Sequence, residues 1–475
     1  GQGADIDLAA NGTGNAFTSE LLITTNETSS NKDADVSIDG GITNLIIGNS
    51  TIDGNLSLLS GETITDTNGS TVTVKGTLSA TTDQPNKIIT LDDLAVTGAF
   101  TLVTLGTGAA TIDNGTANID IAAASVGGAL TLTSGALTSG SNYAIMDSGT
   151  VTVGGNLVAT TNANSGVINM GSLEVTGSFD LTTHGTGAAT VVNGTVLDFL
   201  TSGIGGALTA KATTGNITDS NSQVLTVGGN ASFQTGTDNA DIVLDVGHAI
   251  AGKVTLNTTG SGGDATLDNG TLNIELGDGI SVSGATLATS VGGNLTLISG
   301  AAAGITDALG EIVTVGGRFE ATTDFNNGVI NMGTLNILDG GTIKLYTDGS
   351  GDATVVNTCT TCNVGLAFET STIRGDLIAK ADSGNIENVL GNTLTVSLTS
   401  SFQTVGSGAD ITLNQTNALS GEVTLNTTGS GGDVTLNNGT TALQLGTSAL
   451  SLATSVSGNL DITVGAAVTD LDGLT

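Results

Sequence analysis

The chain has very little of what usually fills a round protein core. Its 475 residues include one proline, Pro85, no tryptophan and only 2% aromatic residues. Hydrophobic residues still make up 38% of the chain, which is too many for a disordered polar tract. So few large side chains in so long a chain predict a thin, elongated core rather than two or three globular domains.

Positive charge is equally scarce. The chain contains nine Lys and Arg residues and 44 Asp and Glu residues, which gives a net charge of −35. This balance excludes nucleic acid and anionic membrane surfaces as partners, because no basic stripe is present. No apolar run approaches the roughly 20 residues that cross a bilayer, so no membrane insertion is expected. Gly1 opens directly into repeat-like sequence, which predicts a mature or excised segment without a signal peptide.

The chain is rich in one short phrase, Val/Ile-x-Gly-x-Leu/Phe. It begins at the following residues: Ile52, Val74, Val96, Val126, Val153, Val175, Ile204, Val291, Val315, Ile373 and Val456. Self-similarity at so short a period indicates one supersecondary unit stacked on itself. Apolar and polar residues alternate around the phrase with a period of two, which is typical of half-buried strands. No stretch keeps a helical spacing of apolar residues.

Longer periods are superimposed on this phrase. Val167–Gly171 recurs as Val329–Gly333, and Val254–Asp264 recurs unchanged as Val423–Asp433. Successive phrases lie about 22–24 residues apart, and a larger unit of about 80 residues holds about three coils. We therefore predict a single continuous solenoid over residues 1–475, built of about six such units. Within this solenoid, residues 313–475 resemble residues 151–312 and form a longer repeat with them.

A propeller, a β-sandwich array and a parallel solenoid all have strands at this spacing. A propeller blade is longer and carries aromatic signatures, and a sandwich array needs linkers and a larger-residue core. The prediction is therefore an all-β, parallel β-helix (solenoid) of about 18–20 coils with no globular subdomain. Because Gly3–Leu8 matches Gly408–Leu413 and neither end looks like a cap, we expect the ends to stack head-to-tail or to continue into more repeats.

The combined pattern resembles a known family. Val291–Gly300, followed by Gly304–Asp307 and then Val313–Gly317, resembles the repeat regions of filamentous-haemagglutinin-type exoproteins. The resemblance covers nearly the whole chain, although the family's amino-terminal secretion domain is not recognisable. It implies a right-handed parallel β-helix in an extracellular fibre used for adhesion, cell contact or surface coating. An unidentified cell-surface or matrix ligand would then be the partner, besides other copies of the chain.

Cys359 and Cys362 are the only cysteines. They replace a turn that the sister repeat builds with Gly-Thr after Asn193. In an exported protein, a local disulfide is the first interpretation and a reduced buried pair is the second. A zinc site would need two more soft ligands, and the two histidines, His184 and His248, lie in other repeats.

Metal and catalytic chemistry have weaker signals. Asp264 and Asp433 end Gly-Ser-Gly-Gly-Asp turns, which makes them calcium candidates, but the nine-residue tandem of such sites is missing. No other cofactor is indicated. Phe100, Phe179 and Phe319 occupy the inward position of the repeat, so we predict core residues rather than sugar subsites. The acids of the Ile/Val-Thr-Asp phrase recur with the repeat, which suggests turn or capping roles: Asp66, Asp219, Asp307 and Asp470.

The sequence therefore predicts a structural protein and not an enzyme. The expectation is an extracellular filament or fibre segment of a giant surface protein. The alternatives are the stalk of a ligand-binding adhesin whose head lies outside this segment, and a polysaccharide-active β-helix enzyme. Asn-x-Ser/Thr sequons are frequent, at Asn11, Asn26, Asn114, Asn294 and Asn426, but so Asn- and Thr-rich a chain produces most of them by chance.

Overall fold

The fold was described in a computed structural model of the chain. It describes residues 4–9, 15–25, 34–136, 143–220, 222–325, 327–446 and 453–470. These residues form two compact units, 1–230 and 231–475. They make about 18 turns of an all-β parallel solenoid and contain no helix, as the sequence predicted.

In the part of the first unit that the structure describes, there are two long parallel sheets and two short ones. Its first sheet consists of Ile6–Leu8, Val36–Asp39, Leu56–Ser60, Leu78–Pro85, Phe100–Leu105, Ile119–Val126, Ile145–Asp147, Val151–Val153, Ile168–Val175, Ala189–Asn193 and Leu208–Ala212. Its second sheet consists of Leu45–Ile47, Ile64–Asp66, Ile89–Leu91, Ala110–Asp113, Leu130–Ser134, Leu157–Asn164, Phe179–His184, Ser202–Ile204 and Leu225–Val227. The short sheets are Ser50–Ile52, Val72–Val74 and Leu94–Val96, and the pair Leu197–Asp198 and Ile217–Thr218.

The second unit repeats this arrangement. Its first sheet consists of Ala231–Asp238, Val254–Thr259, Ile274–Leu276, Ser290–Val291, Ile305–Asp307, Val313–Val315, Ile330–Ile337, Ala353–Asn357, Leu377–Ala381, Ser400–Thr404, Glu422–Thr427, Leu443–Leu445 and Val468–Asp470. Its second sheet consists of Ile242–Leu244, Ala265–Asp268, Leu295–Ser299, Phe319–Thr323, Ile343–Thr347, Val364–Phe368, Ser371–Ile373, Asn385–Asn388, Leu394–Val396, Ile411–Leu413, Ala418–Leu419, Val434–Asn437 and Leu460–Thr463. The remaining strands are Ala249–Ile250 and the antiparallel pair Gly279–Ile280 and Thr286–Leu287.

Identical inward positions of successive turns form the core. Val36, Leu56, Leu78 and Phe100 are consecutive partners in the first sheet, each at most 1% exposed. Stacking apolar residues in register buries a continuous, narrow interior although each turn alone buries little. Phe100, Phe179 and Phe319 are fully buried, which confirms that they are core residues.

The glycine of the recurring phrase marks a corner where turns approach closely. The N–H of Gly98 donates to the carbonyl oxygen of Gly76 at 2.9 Å, and the N–H of Gly76 donates to that of Gly54 at 2.9 Å. A Cβ built on Gly98 would lie 2.6 Å from the carbonyl carbon of Gly76. The phrase therefore keeps glycine because any side chain there would collide with the backbone of the preceding turn.

The 80-residue units do not contain a whole number of turns. In the second unit, seven steps along the second sheet separate the strand before Asn269 from the strand before Asn438. The equivalent residue between them, Asn357, ends a strand of the first sheet instead. The prediction of about three coils per unit is thus corrected to about three and a half, and equivalent residues alternate between the two sheets.

Candidate functional site: polar columns between turns

Among the described residues, the asparagines at 0% exposure all connect neighbouring turns, and they are five: Asn114, Asn193, Asn269, Asn357 and Asn438. In Asn269, Oδ1 accepts from the N–H of Ile250 at 2.8 Å and Nδ2 donates to the Ile250 carbonyl oxygen at 3.0 Å. The other four make the same pair of bonds, with Val96, Val175, Ile337 and Leu419 respectively. One side chain thus satisfies both backbone polar groups of a residue in the preceding turn.

Four of these asparagines are the first residue of an Asn-Gly pair. Three of the following glycines have a positive φ, at 54° for Gly115 and Gly270 and 55° for Gly439. The glycine lets the chain turn sharply after the buried amide, whose Nδ2 also donates to a carbonyl three or four residues on, as from Asn269 to Asn273 at 2.7 Å. The sequence shows the pair, but not that the asparagine is bound across turns.

In the described ranges, ten buried threonines close turns in a similar way. Each Oγ1 donates to a carbonyl oxygen four or five residues later, as from Thr104 to Gly108 at 2.6 Å and from Thr258 to Gly263 at 2.9 Å. The ten are Thr82, Thr104, Thr161, Thr183, Thr235, Thr258, Thr323, Thr347, Thr404 and Thr427. Several also accept from the next turn, so these hydroxyls have a structural role.

The two calcium candidates belong to columns of aspartate and asparagine just before strands. The N–H of Asp433 donates to Oδ1 of Asp410 at 2.8 Å, and Oδ1 of Asp433 accepts from the N–H of Asn459 at 2.6 Å. Asp264 likewise accepts from the N–H of Asn294 at 2.7 Å. Within the described ranges, no three His, Cys, Asp or Glu side chains group as metal ligands. The carboxylates therefore have a hydrogen-bonding role between turns.

The cysteine pair lies directly after one of the buried asparagines. Cys359 and Cys362 form a disulfide with an S–S distance of 1.95 Å, and both are 6% exposed. Oδ1 of Asn357 accepts from the N–H of Cys359 at 3.2 Å while it also accepts from Ile337. The disulfide therefore spans the turn that carries the buried amide, where the other four copies have Asn-Gly.

The Ile/Val-Thr-Asp phrase places its aspartates against backbone N–H groups. Oδ1 of Asp307 accepts from Gly333 at 2.9 Å and Oδ2 accepts from Thr334 at 2.5 Å. Asp147, 160 residues earlier, accepts in the same way from Gly171 and Ser172. Asp307 therefore bonds to the irregular part of the strand in the next turn, between Met332 and Leu335, and a capping role for the four aspartates stays a prediction.

An acidic group lies near the start of the first unit. Oδ2 of Asp66 accepts from the N–H of Asp93 at 2.8 Å, and Oδ2 of Asp93 accepts from the N–H of Gly69 at 2.5 Å. Burial is the main cause that raises the pKa of Asp66, from 3.8 to about 6, and the neighbouring Asp92 raises it further. Burial also raises the pKa of Asp113. These carboxyls repel one another, and no basic side chain is bonded to them in the described residues.

The other predicted residues are not brought together. Nδ1 of His184 lies 2.7 Å from the carbonyl oxygen of Thr161, and His248 is buried in the other unit. Of the sequons, Asn114 and Asn426 are buried at 0% and 6% exposure, while Asn294 is exposed. Asn11 and Asn26 lie outside the described residues, as does Gly3. No helix in the described ranges has the length and apolar character to span a membrane.

Comparison with known proteins gives one similarity. A family described as repeats of unknown function (DUF5649) matches residues 33–103, 186–257 and 351–426. The first match begins beside Val36–Asp39 and ends within Phe100–Leu105, so it covers four consecutive strands of the first sheet. The third covers Ala353–Asn357 through Glu422–Thr427 in the same way. No curated protein and no solved structure matches the chain.

Proposed function

We propose that this chain is a structural segment of an extracellular filament or giant surface protein, and that it acts in adhesion, cell contact or surface coating. The observation that carries the proposal is the use of its polar side chains. Buried asparagines, threonines and pre-strand aspartates bond to adjacent turns, and no three His, Cys, Asp or Glu side chains group as metal ligands in the described residues. Such an arrangement supports mechanical strength along the stack rather than chemistry at a pocket.

Two further features support an extracellular location. A disulfide is stable in oxidising compartments and rare in the cytosol, and the pair Cys359–Cys362 is bonded. A net charge of −35 keeps copies from adhering side by side, which a surface fibre requires. The resemblance of Val291–Gly317 to filamentous-haemagglutinin-type exoproteins agrees with this location.

End-to-end self-association is the partner proposal. In the last described strand, Val468 is 51% exposed, and the strand pairs with Leu443–Leu445 among the described residues. All three residues of this Val-Thr-Asp strand are exposed, so its edge can accept one more turn, from this chain or from a copy.

Electron microscopy of the purified chain tests this proposal. We expect uniform fibres, which Val468→Lys shortens because it places a charge on the stacking edge. Val224→Lys is the matched control, since Val224 is similarly exposed at 40% but directly precedes the strand Leu225–Val227, away from the last described strand. Short rods with a distinct tip would instead favour the stalk of a ligand-binding adhesin. Immunogold labelling of intact cells tests the location, and labelling confined to the cell interior would refute it.

A further inference from the structure

Asn-Gly pairs are the sequences in which asparagine most readily undergoes deamidation, a modification that needs no enzyme. The backbone nitrogen after an asparagine attacks its side-chain carbonyl, and glycine offers the least steric hindrance to that attack. The described residues contain six such pairs, beginning at Asn68, Asn114, Asn193, Asn269, Asn327 and Asn438, and Asn11-Gly12 lies outside them. The exposure and hydrogen bonding of the asparagine side chain differ strongly among these pairs.

In four of the pairs the asparagine side chain is held by hydrogen bonds and cannot rotate, and we call these asparagines locked. The amides of Asn114, Asn193, Asn269 and Asn438 are fully buried, with Oδ1 and Nδ2 both bonded to the preceding turn. An amide held on both atoms cannot rotate to meet the following nitrogen. Asn327 is exposed, but its Oδ1 accepts from the N–H and the hydroxyl of Ser350 at 2.9 and 2.6 Å.

Asn68 is the exception. Its side chain is exposed and makes no hydrogen bond within the described part of the chain, and Gly69 is exposed with a φ of 76°. The N–H of Gly69 donates to Oδ2 of Asp93 at 2.5 Å. A carboxylate thus lies where the proton of the attacking nitrogen must leave.

We infer that Asn68-Gly69 is a self-modification site at which Asn68 converts to aspartate and isoaspartate, with Asp93 as the proton acceptor. The Gly69 nitrogen bonds to Cγ of Asn68 while its proton passes to the Asp93 carboxylate. Asp93 then gives that proton to the side-chain nitrogen, whose bond to Cγ breaks, and ammonia leaves. Water then opens the five-membered imide at either carbonyl carbon. The products carry one more negative charge, beside Asp66, Asp92 and Asp93.

Peptide mapping by mass spectrometry after prolonged incubation of the full chain at neutral pH tests the site. In the folded protein we expect a gain of about 1 Da at Asn68 at least ten times faster than at the four locked asparagines, with Asn327 between them. In urea, the locked asparagines should approach the rate of Asn68. Equal rates in the folded protein, or faster conversion of a locked asparagine, would overturn the assignment.

Two charge-matched variants test the part of Asp93. Asp93→Asn keeps an oxygen that accepts from Gly69 but removes the base, so conversion of Asn68 should slow several-fold. Asp92→Asn removes the same charge from the exposed neighbour and should leave the rate within twofold. Circular dichroism confirms that both variants are folded. An equal rate in the two variants would refute the role of Asp93.

Discussion

The side chain of Asn269 bonds to Ile250 as a neighbouring strand would, with an acceptor at 2.8 Å and a donor at 3.0 Å. A single amide therefore replaces the peptide ladder at a corner where the backbone of the next turn diverges. Because Ile250 is 1% exposed, water cannot substitute for this amide.

Asn269→Leu should destabilise the second unit. The substitution leaves a buried N–H and a buried C=O of Ile250 without partners, which costs about 1–3 kcal/mol for each group. Urea unfolding followed by circular dichroism measures the change. Asn68→Leu, at an exposed turn, should change the unfolding free energy by less than about 0.5 kcal/mol. A loss at Asn269 no larger than that control would contradict the role of the buried amide.

Gly98→Ala should destabilise the first unit by about 1–3 kcal/mol, because the new methyl group would overlap the Gly76 backbone. Gly203→Ala is the matched control, since a Cβ there meets no atom within 4 Å. Thermal unfolding of the two variants checks the prediction. Equal melting temperatures would show that the turns can separate at the glycine corner without penalty.

Replacing both Cys359 and Cys362 by serine should lower the unfolding free energy by about 2 kcal/mol, because the disulfide closes a short loop in the unfolded chain. Adding a reductant to the wild-type protein should have the same effect. The double-serine variant should not respond to the reductant, and a response there would point to a different target.

Asp66→Asn should stabilise the first unit at neutral pH. The folded pKa of Asp66, about 6, lies above the ordinary value of 3.8, so the folded state binds the proton more tightly. Ionisation therefore costs stability above about pH 6, and this cost disappears as the pH falls through 6 towards 4. We expect a gain of about 1 kcal/mol at pH 7, allowing for solvent screening, and none near pH 4. A gain independent of pH would contradict this origin.

The sequence predicted the elements of the fold that depend on local alternation. Period-two patterns gave the parallel strands and the absence of helices, and the inward position of Phe100 followed from the phrase in which it stands. The prediction of one continuous solenoid, and of a boundary between residues 312 and 313, stays a prediction.

Contacts between turns were harder to infer. The bond from Asn269 joins residues 19 positions apart, and no local pattern names Ile250 as the partner. The bonds of Asp264 and Asp433 to the following turn were equally hidden, because the glycine-rich turns before them reveal only local structure. Calcium binding at these two residues stays a prediction. The error of half a turn in each 80-residue unit has the same origin, since coil length depends on bulges and corners that composition does not reveal.

That half turn limits how such a gene can grow or shrink. Deleting one 80-residue copy from the second unit would shift the following strands by half a turn, so that strands of the first sheet would fall in the second sheet. Deleting two copies would shift them by a whole number of turns and return each strand to its own sheet. Recombination that removes about 160 residues should therefore yield folded products, and removal of about 80 should not. The same rule would apply to engineered variants of different length, which should fold only when an even number of 80-residue copies is added or removed.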